Sequence, residues 1–357
     1  MPLRRSVSIL IAAAVAVAVA VAVAPSAGAL TAGSTAGRTY VALGDSYAAG
    51  YGLPAPATPT RTAYPGCAQT SRDYPHHLAA QLNLRLTDAT CSGATTADFY
   101  TPQNVAGPKP PAQLDVVKAL QPKLVTVTIG GNDLGFASIT GTCVAASATG
   151  PLFLHPTFAS CMAYFASPAG SADNPYARLA GVGAKVRAAL TAVHRAAPHA
   201  RILVIAYPAI APNARNTPLG GCFAANSIPP TLVNGAQLTS AFPFTDTDVP
   251  FLARLQKRLD GEIAEATRDS GGRYADIYHA SLPHSACSPE STRWVEPVVP
   301  GGGGSNVLHP SLAGTSAMAA TLAPKVTCLL TATDHLSRGF ARRLAPSWQL
   351  TGSSGMS

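Results

Sequence analysis

"TYVALGDSYAAG" (residues 39–50) joins a short apolar run to a glycine-tight turn and then to small residues that open a helix. A strand–turn–helix junction lifts a side chain to the carboxyl edge of a sheet, where α/β proteins place their chemistry. The side chain so placed is Ser46. Alone it has two readings, a nucleophile or a helix N-cap, since Asp and Ser are common capping residues.

Four further segments read as buried strands: "LRLTDATC" (84–91), "KLVTVTIG" (123–130), "ARILVIA" (200–206) and "RYADIY" (273–278). Most are continuous apolar runs rather than strict alternations, the pattern of strands covered on both faces. Helical patterns alternate with them at 71–83, 110–120, 174–198, 248–271 and 309–330. In the third, Leu179, Val182, Val186, Leu190 and Val193 recur at helical spacing. Strand then helix, repeated, specifies a parallel sheet with helices on both faces, and right-handed crossovers leave few topologies. The expected fold is α/β: one three-layer α/β/α domain over 30–330, with a central parallel sheet of about five strands.

Three long irregular stretches, 134–173, 207–247 and 279–308, each follow a strand and therefore belong to the carboxyl edge. Loops of that length on such a domain are usually functional, here as the walls of a substrate cleft. "GGGGSN" (301–306) reads as a hinge before His309, and the tail 331–357, without a periodic stripe, as a loose segment.

The first 29 residues stand apart. Arg4 and Arg5 precede an uncharged apolar run, Ser6 to Ala24, and "PSAGAL" follows with Ala27 and Ala29 in an A-x-A arrangement. This is the pattern of a secretory signal cut near Ala29, with an uncleaved anchor as the rival, and it predicts an extracellular protein. The formal net charge of +8 falls to about +6 without Arg4 and Arg5. Such an excess favours anionic surfaces such as phospholipid, so a transient contact with a lipid surface is expected. No Lys/Arg cluster alternates with aromatics, which argues against nucleic acid. Seven cysteines (67, 91, 143, 161, 222, 287, 328) allow three bonds and one leftover thiol in an oxidising compartment, with the connectivity left open. None is spaced C-x-x-C, so no zinc cluster, and no other metal or organic cofactor, is expected.

Three more segments fall on the edge that carries Ser46. "CSGATT" (91–96) follows the second strand, and Gly93, lacking a Cβ, lets its N–H approach a ligand closely. "TIGGNDLGF" (128–136) follows the third and projects the Asn132 amide. "LHPSLAG" (308–314) puts His309 just before the proline that opens the last helix. Each is weak alone, because Gly, Asn and His are ordinary turn or surface residues. Acyl transfer, however, requires a nucleophile, a base and oxyanion donors. Ser46 supplies the first and His309 the second, while the Ser46 N–H, the Gly93 N–H and the Asn132 side chain supply the donors.

"GDSY", "CSGATT", "GGND" and "LHP" resemble, in order and spread over 38–328, the four signature blocks of the SGNH (GDSL) hydrolase superfamily. "GGNDLGF", "IAYP" (205–208), "HSAC" (284–287) before Trp294 and the cysteine pattern are similar to those of its secreted actinobacterial lipases and esterases. The resemblance implies a flavodoxin-like α/β/α fold and cofactor-free ester hydrolysis through a serine acyl-enzyme. It also implies disulfides Cys67–Cys91, Cys143–Cys161 and Cys222–Cys287. Cys328 is then odd, and it is expected to be buried in the last helix as a small hydrophobe.

One departure matters. Most of the superfamily has Asp three residues before the histidine, whereas this chain has Asn306. The imidazole still needs a partner at Nδ1–H to fix its tautomer. The expectation is the main-chain oxygen of Asn306, with Glu290 or Glu296 as rivals. Of the remaining histidines, 76, 77, 194 and 199 read as surface residues; His279 and His284 fall on the cleft side, where a supporting role is the minority reading, and His284 reads first as anchored beside the Cys287 disulfide. The stretch "PLFLHPTFASCMAYF" (151–165) either lines an acyl pocket or packs on its own disulfide.

The leading expectation is a secreted, monomeric serine esterase or lipase, with phospholipids among its possible ester substrates. A carbohydrate O-deacetylase would use the same site, but only two Trp are present to stack on sugar. A non-catalytic envelope-binding module would not need nucleophile, base and donors together.

Overall fold

Strands at the centre of the sheet divide their side chains between two apolar layers, and that division organises the molecule. The structure, a computed structural model, describes residues 34–54, 64–300 and 305–343. Residues 1–29, read above as a secretory signal, the glycines 301–304 and the end of the tail, 344–357, lie outside these residues. The described residues all belong to one compact unit.

The strands are β1 (Thr39–Gly44), β2 (Arg85–Asp88), β3 (Leu124–Thr128), β4 (Arg201–Ile205), β5 (Ser227–Val233), β6 (Ala236–Ser240) and β7 (Arg273–Ala275). Five build the core sheet in the order β2-β1-β3-β4-β7, all neighbours parallel. This is the flavodoxin-like order, with a switch point between β1 and β3 where successive crossovers leave in opposite directions.

The helices are α1 (Ser46–Ala49), α2 (Tyr74–Leu82), α3 (Gln113–Leu120), α4 (Gly131–Leu134), α5 (Phe136–Thr142), α6 (Cys161–Ala166), α7 (Pro175–Ala196), α8 (Gly221–Ala225), α9 (Asp248–Asp269), α10 (Tyr278–Ser281) and α11 (Leu312–Arg343). Side chains alternate across a strand. Val41, Leu43, Val125, Val127, Ile202 and Val204 therefore enter one core with the buried stripes of α3, α7 and α9. Tyr40, Ala42, Leu124, Leu203 and Ile205 enter the other, with α2 and α11. Both faces being covered explains the unbroken apolar runs. Polar groups within the second layer are paired: Tyr40 Oη lies 2.7 Å from Thr126 Oγ1, and Tyr74 Oη 2.9 Å from Thr128 Oγ1.

Several elements differ from the sequence reading. The strand expected over 84–91 shortens to β2, an edge strand that is exposed or half-buried along its length. Within 207–247 lies an antiparallel hairpin, β5–β6, turning at Asn234 and Gly235 with φ +47° and +82°. The last helix, expected to end at 330, runs on as α11 to Arg343. Cys328 is exposed rather than buried, since α11 turns Met318, Leu322, Val326 and Leu330 inward instead.

Cys67–Cys91, Cys143–Cys161 and Cys222–Cys287 are bonded. Residues 151–165 pack on the second bond: His155 and Phe158 bear on the Tyr164 ring, and Leu152, Tyr164 and Phe165 are buried. None of them lines the cleft described below.

Candidate active site

Ser46 owes its position to Gly44. That residue adopts φ +136°, and a Cβ there would stand 2.3 Å from the Thr128 carbonyl oxygen. Only glycine lets β1 turn this close to β3. The Gln113 amide clamps the same peptide, accepting from Gly44 N (2.8 Å) and donating to Gly44 O (3.0 Å). Asp45 then caps α1, its carboxylate accepting from Tyr47 N at 3.0 Å. Ser46 is thus the first helical residue, and its own N–H has no acceptor among the described residues.

His309 comes from the far end of the chain, 263 residues away. Ser46 Oγ lies 2.7 Å from its Nε2, and the Val307 carbonyl 2.7 Å from its Nδ1. The carbonyl of Asn306, expected in that role, instead accepts the His309 backbone N–H at 2.9 Å. The reason is local geometry. Leu308 adopts the left-handed conformation, φ +55°, and the tight turn brings the carbonyl two residues back under the ring. Asn306 is buried and donates its side-chain amide to Pro310 O. The rival acids are elsewhere: Glu296 pairs with Arg293 at 2.9 Å, and Glu290 is exposed.

The turn carrying His309 is held on two sides. Leu308 N donates to Glu296 O, and Glu296 N to His309 O. Tyr47 Oη donates to Leu308 O at 2.5 Å, and the Tyr47 ring lies 4.6 Å from the imidazole, with Tyr51 at 5.1 Å. Burial pushes the His309 pKa below its ordinary 6.5, opposed by the Val307 hydrogen bond. A carbonyl dipole stabilises an imidazolium less than a carboxylate would, so the neutral, proton-accepting ring prevails near neutral pH.

Asn132, in α4 after β3, donates its amide to Ala94 O at 2.9 Å. Its neighbour Asp133 accepts from Thr96 N and Oγ1 at 2.9 and 2.7 Å. The two residues thereby tie the turn after β3 to the turn that carries Gly93. Gly93 itself has φ +81° and an N–H without an acceptor among the described residues. Asn132 spends one amide hydrogen on Ala94 and keeps the other.

Behind Ser46 lies a network that the sequence reading did not contain. Tyr207 Oη donates to Asp45 Oδ2 at 2.5 Å and accepts from Gly131 N at 2.9 Å. It binds the turn after β1 to the turn after β3, and the only sequence signal was its place in "IAYP". Burial raises the Asp45 carboxyl to about 7, against the pull of these hydrogen bonds.

Ser46, Asn132 and His309 open into one cavity of about 300 Å³. All three long loops contribute to it, through Phe136 and Val144, Ile210 and Asn234, and Val298 and Val307. His279 and His284 do not reach it: His279 pairs with Asp276, and His284 stacks on Trp294 with Nδ1 on Thr292 O. Asp73, His76 and Asp88 bring possible metal-ligand atoms within 4.8 Å of one another, but none lines the cavity. His76, expected at the surface, is half-buried there and paired at 2.8 Å with the Asp73 carboxylate that caps α2.

Residues 42–317 match the GDSL-like lipase/acylhydrolase family model. Lipase 2 of Streptomyces coelicolor is 32% identical over 89% of this chain and 96% of its own length. The solved extracellular lipase of Streptomyces rimosus superimposes with a TM-score of 0.55 at 23% identity, over 81% of this chain and 99% of that one. Phospholipase A1 of Streptomyces albidoflavus gives 0.51 at 25%, over 80% and 98%. With this site and these relatives, the chain belongs to the GDSL-like lipase/acylhydrolase family and is a carboxylic ester hydrolase.

Proposed function

We propose that the protein is a secreted lipase or esterase whose reaction runs through a Ser46 acyl-enzyme with His309 as its base. The observation that carries this reading is the relay from Ser46 Oγ to His309 Nε2 and from Nδ1 to Val307 O, both contacts 2.7 Å. His309 Nε2 takes the hydroxyl proton as Ser46 Oγ attacks the ester carbonyl carbon. The oxyanion that forms meets the Ser46 N–H, the Gly93 N–H and the second Asn132 amide hydrogen, all without an acceptor among the described residues. Collapse breaks the bond to the alcohol, which leaves with the proton from Nε2. Water then gives its proton to Nε2 and attacks the acyl-enzyme, and the returning proton regenerates Ser46 Oγ–H. Losing one such donor typically slows acyl transfer by about 100- to 1000-fold.

Phe136, Val144, Ile210, Leu259 and Val298 give the cavity its apolar wall, which suits an aliphatic acyl chain better than a sugar face. Export rests on the N-terminal pattern of residues 1–29 and the three disulfides. Among the described residues no helix is long and apolar enough to cross a membrane. Initial rates on p-nitrophenyl esters from acetyl to palmitoyl test the specificity. The expected optimum lies beyond acetyl, and a sharp preference for acetyl, repeated on acetylated xylan, would favour the deacetylase.

A further inference from the structure

The sheet has a second edge, opposite the one that carries Ser46, and its composition is unlike the rest of the molecule. In a parallel sheet all strands begin on the same side. Arg38 immediately precedes β1, Lys123 immediately precedes β3, and Arg201 and Arg273 open β4 and β7. These four strands are consecutive in the sheet, so one basic residue stands at the head of each. Backbone bonds fix the heads of three strands together, Lys123 N donating to Thr39 O and Arg201 N to Lys123 O, while Arg273 stands opposite Leu203, two residues further along β4 than Arg201. Neighbouring strands lie about 4.8 Å apart, so the row spans roughly 14 Å.

Three more basic side chains reach the same hollow. His194 and Arg268 lie in the last turns of α7 and α9, and His199 follows α7. Together the seven line a cavity of about 770 Å³ that, among the described residues, no Asp or Glu lines. The two helix-end residues have a local role, because cations offset the carbonyl ends of helices. Lys123, Arg201 and Arg273 at the strand heads are not at helix ends, whereas Arg38 donates Nε to Ser34 O at 3.1 Å. Lys123, Arg201, Arg268 and Arg273 form no ion pair among the described residues, and Asp269 beside Arg268 is engaged by Arg187 at 2.8 Å. Like charges gathered in a concave site repel one another and focus a positive potential that draws in anions.

We propose that this amino-edge cavity is a binding site for a phosphate-bearing anion with two or more negative charges. Arginine's planar fork matches phosphate oxygens two at a time, and Arg201, Arg268 and Arg273 with Lys123 suit several phosphate oxygens rather than one carboxylate. Because the site lies across the sheet from Ser46, occupancy leaves the ester cleft open. It would hold the enzyme to a phosphate-rich ligand with its cleft facing away.

The test uses the full chain and sodium tripolyphosphate as probe, titrated calorimetrically at about 50 mM and about 200 mM salt, where screening differs markedly. Binding is expected, weakening at least several-fold at the higher salt. Arg201→Gln/Arg273→Gln should weaken it roughly tenfold or more, with turnover of a soluble p-nitrophenyl ester unchanged. Lys123→Gln/Arg268→Gln, at two exposed side chains, repeats the test should the first pair fail to fold. Co-sedimentation with phosphatidylcholine vesicles, with and without about one third phosphatidylglycerol, separates the sources of phosphate. Charge-dependent sedimentation lost in the variants, without tripolyphosphate binding, assigns the site to lipid headgroups. Tripolyphosphate binding that also displaces the protein from vesicles assigns it to soluble phosphate. Failure to bind either probe at low salt, or equal binding by both double variants, overturns the proposal.

Discussion

A main-chain carbonyl stands where most of the superfamily has an aspartate, and this sets the protonation behaviour of His309. Burial lowers its pKa and no carboxylate raises it again. The base form therefore persists below the ordinary 6.5, and the acid limb of kcat/KM is expected to have its midpoint below that value. A midpoint above it would mean that an acid faces the imidazole. Glu296→Gln separates the two cases further: with its carboxylate on Arg293, turnover should stay within a few-fold of the parent if the protein folds. Ser46, Asn132 and His309 were legible because each is a side chain in a short motif beside a strand end. Val307 was not. Its contribution is a peptide oxygen, which every residue carries, and only the left-handed turn at Leu308 selects it over that of Asn306.

Among the elements, the β1–α1 junction is the most tightly determined. The Thr128 carbonyl leaves no room for a Cβ at residue 44, and its φ of +136° strains any other residue. Gly44→Ala is expected to lower stability by about 3 kcal/mol or more and to displace Ser46. Gly181→Ala, on the exposed face of α7 with nothing within 4 Å of a Cβ, should instead be neutral or stabilise by up to about 1 kcal/mol. Paired denaturant melts would show both, and equal effects would contradict the steric argument. The buried strands and the long helices were readable from their apolar periods. The edge strand β2 was overextended, because its apolar run continues past Asp88 into the turn leading to Cys91. The β5–β6 hairpin lay hidden in a stretch read as irregular, although Asn234-Gly235 is the dipeptide of a two-residue hairpin turn.

In the whole molecule, the cleft is assembled from loops that the sheet alone does not fix. Cys222–Cys287 joins the loop after β4 to the loop after β7, and both supply cavity wall. The bond closes a sequence separation of 65, for which chain entropy alone gives about 4 kcal/mol. Cys222→Ser/Cys287→Ser should therefore lower the thermal midpoint by several degrees and reduce ester turnover as the wall loosens. An unchanged melt and rate would show that the loops hold their places without the bond. The layered fold and the carboxyl-edge site followed from the alternation of strands and helices. The amino edge, where four strand heads from distant parts of the chain gather their charge, could be seen only once the strand order was known.

The most direct measurement is kcat/KM for Ser46→Ala, with its fold verified by circular dichroism, on the best p-nitrophenyl ester. If Ser46 is the nucleophile, the rate should fall by about 10⁴-fold or more while the melting curve stays near that of the parent. A folded variant retaining a tenth or more of parental turnover would reduce Ser46 to a helix-opening residue and place the chemistry elsewhere.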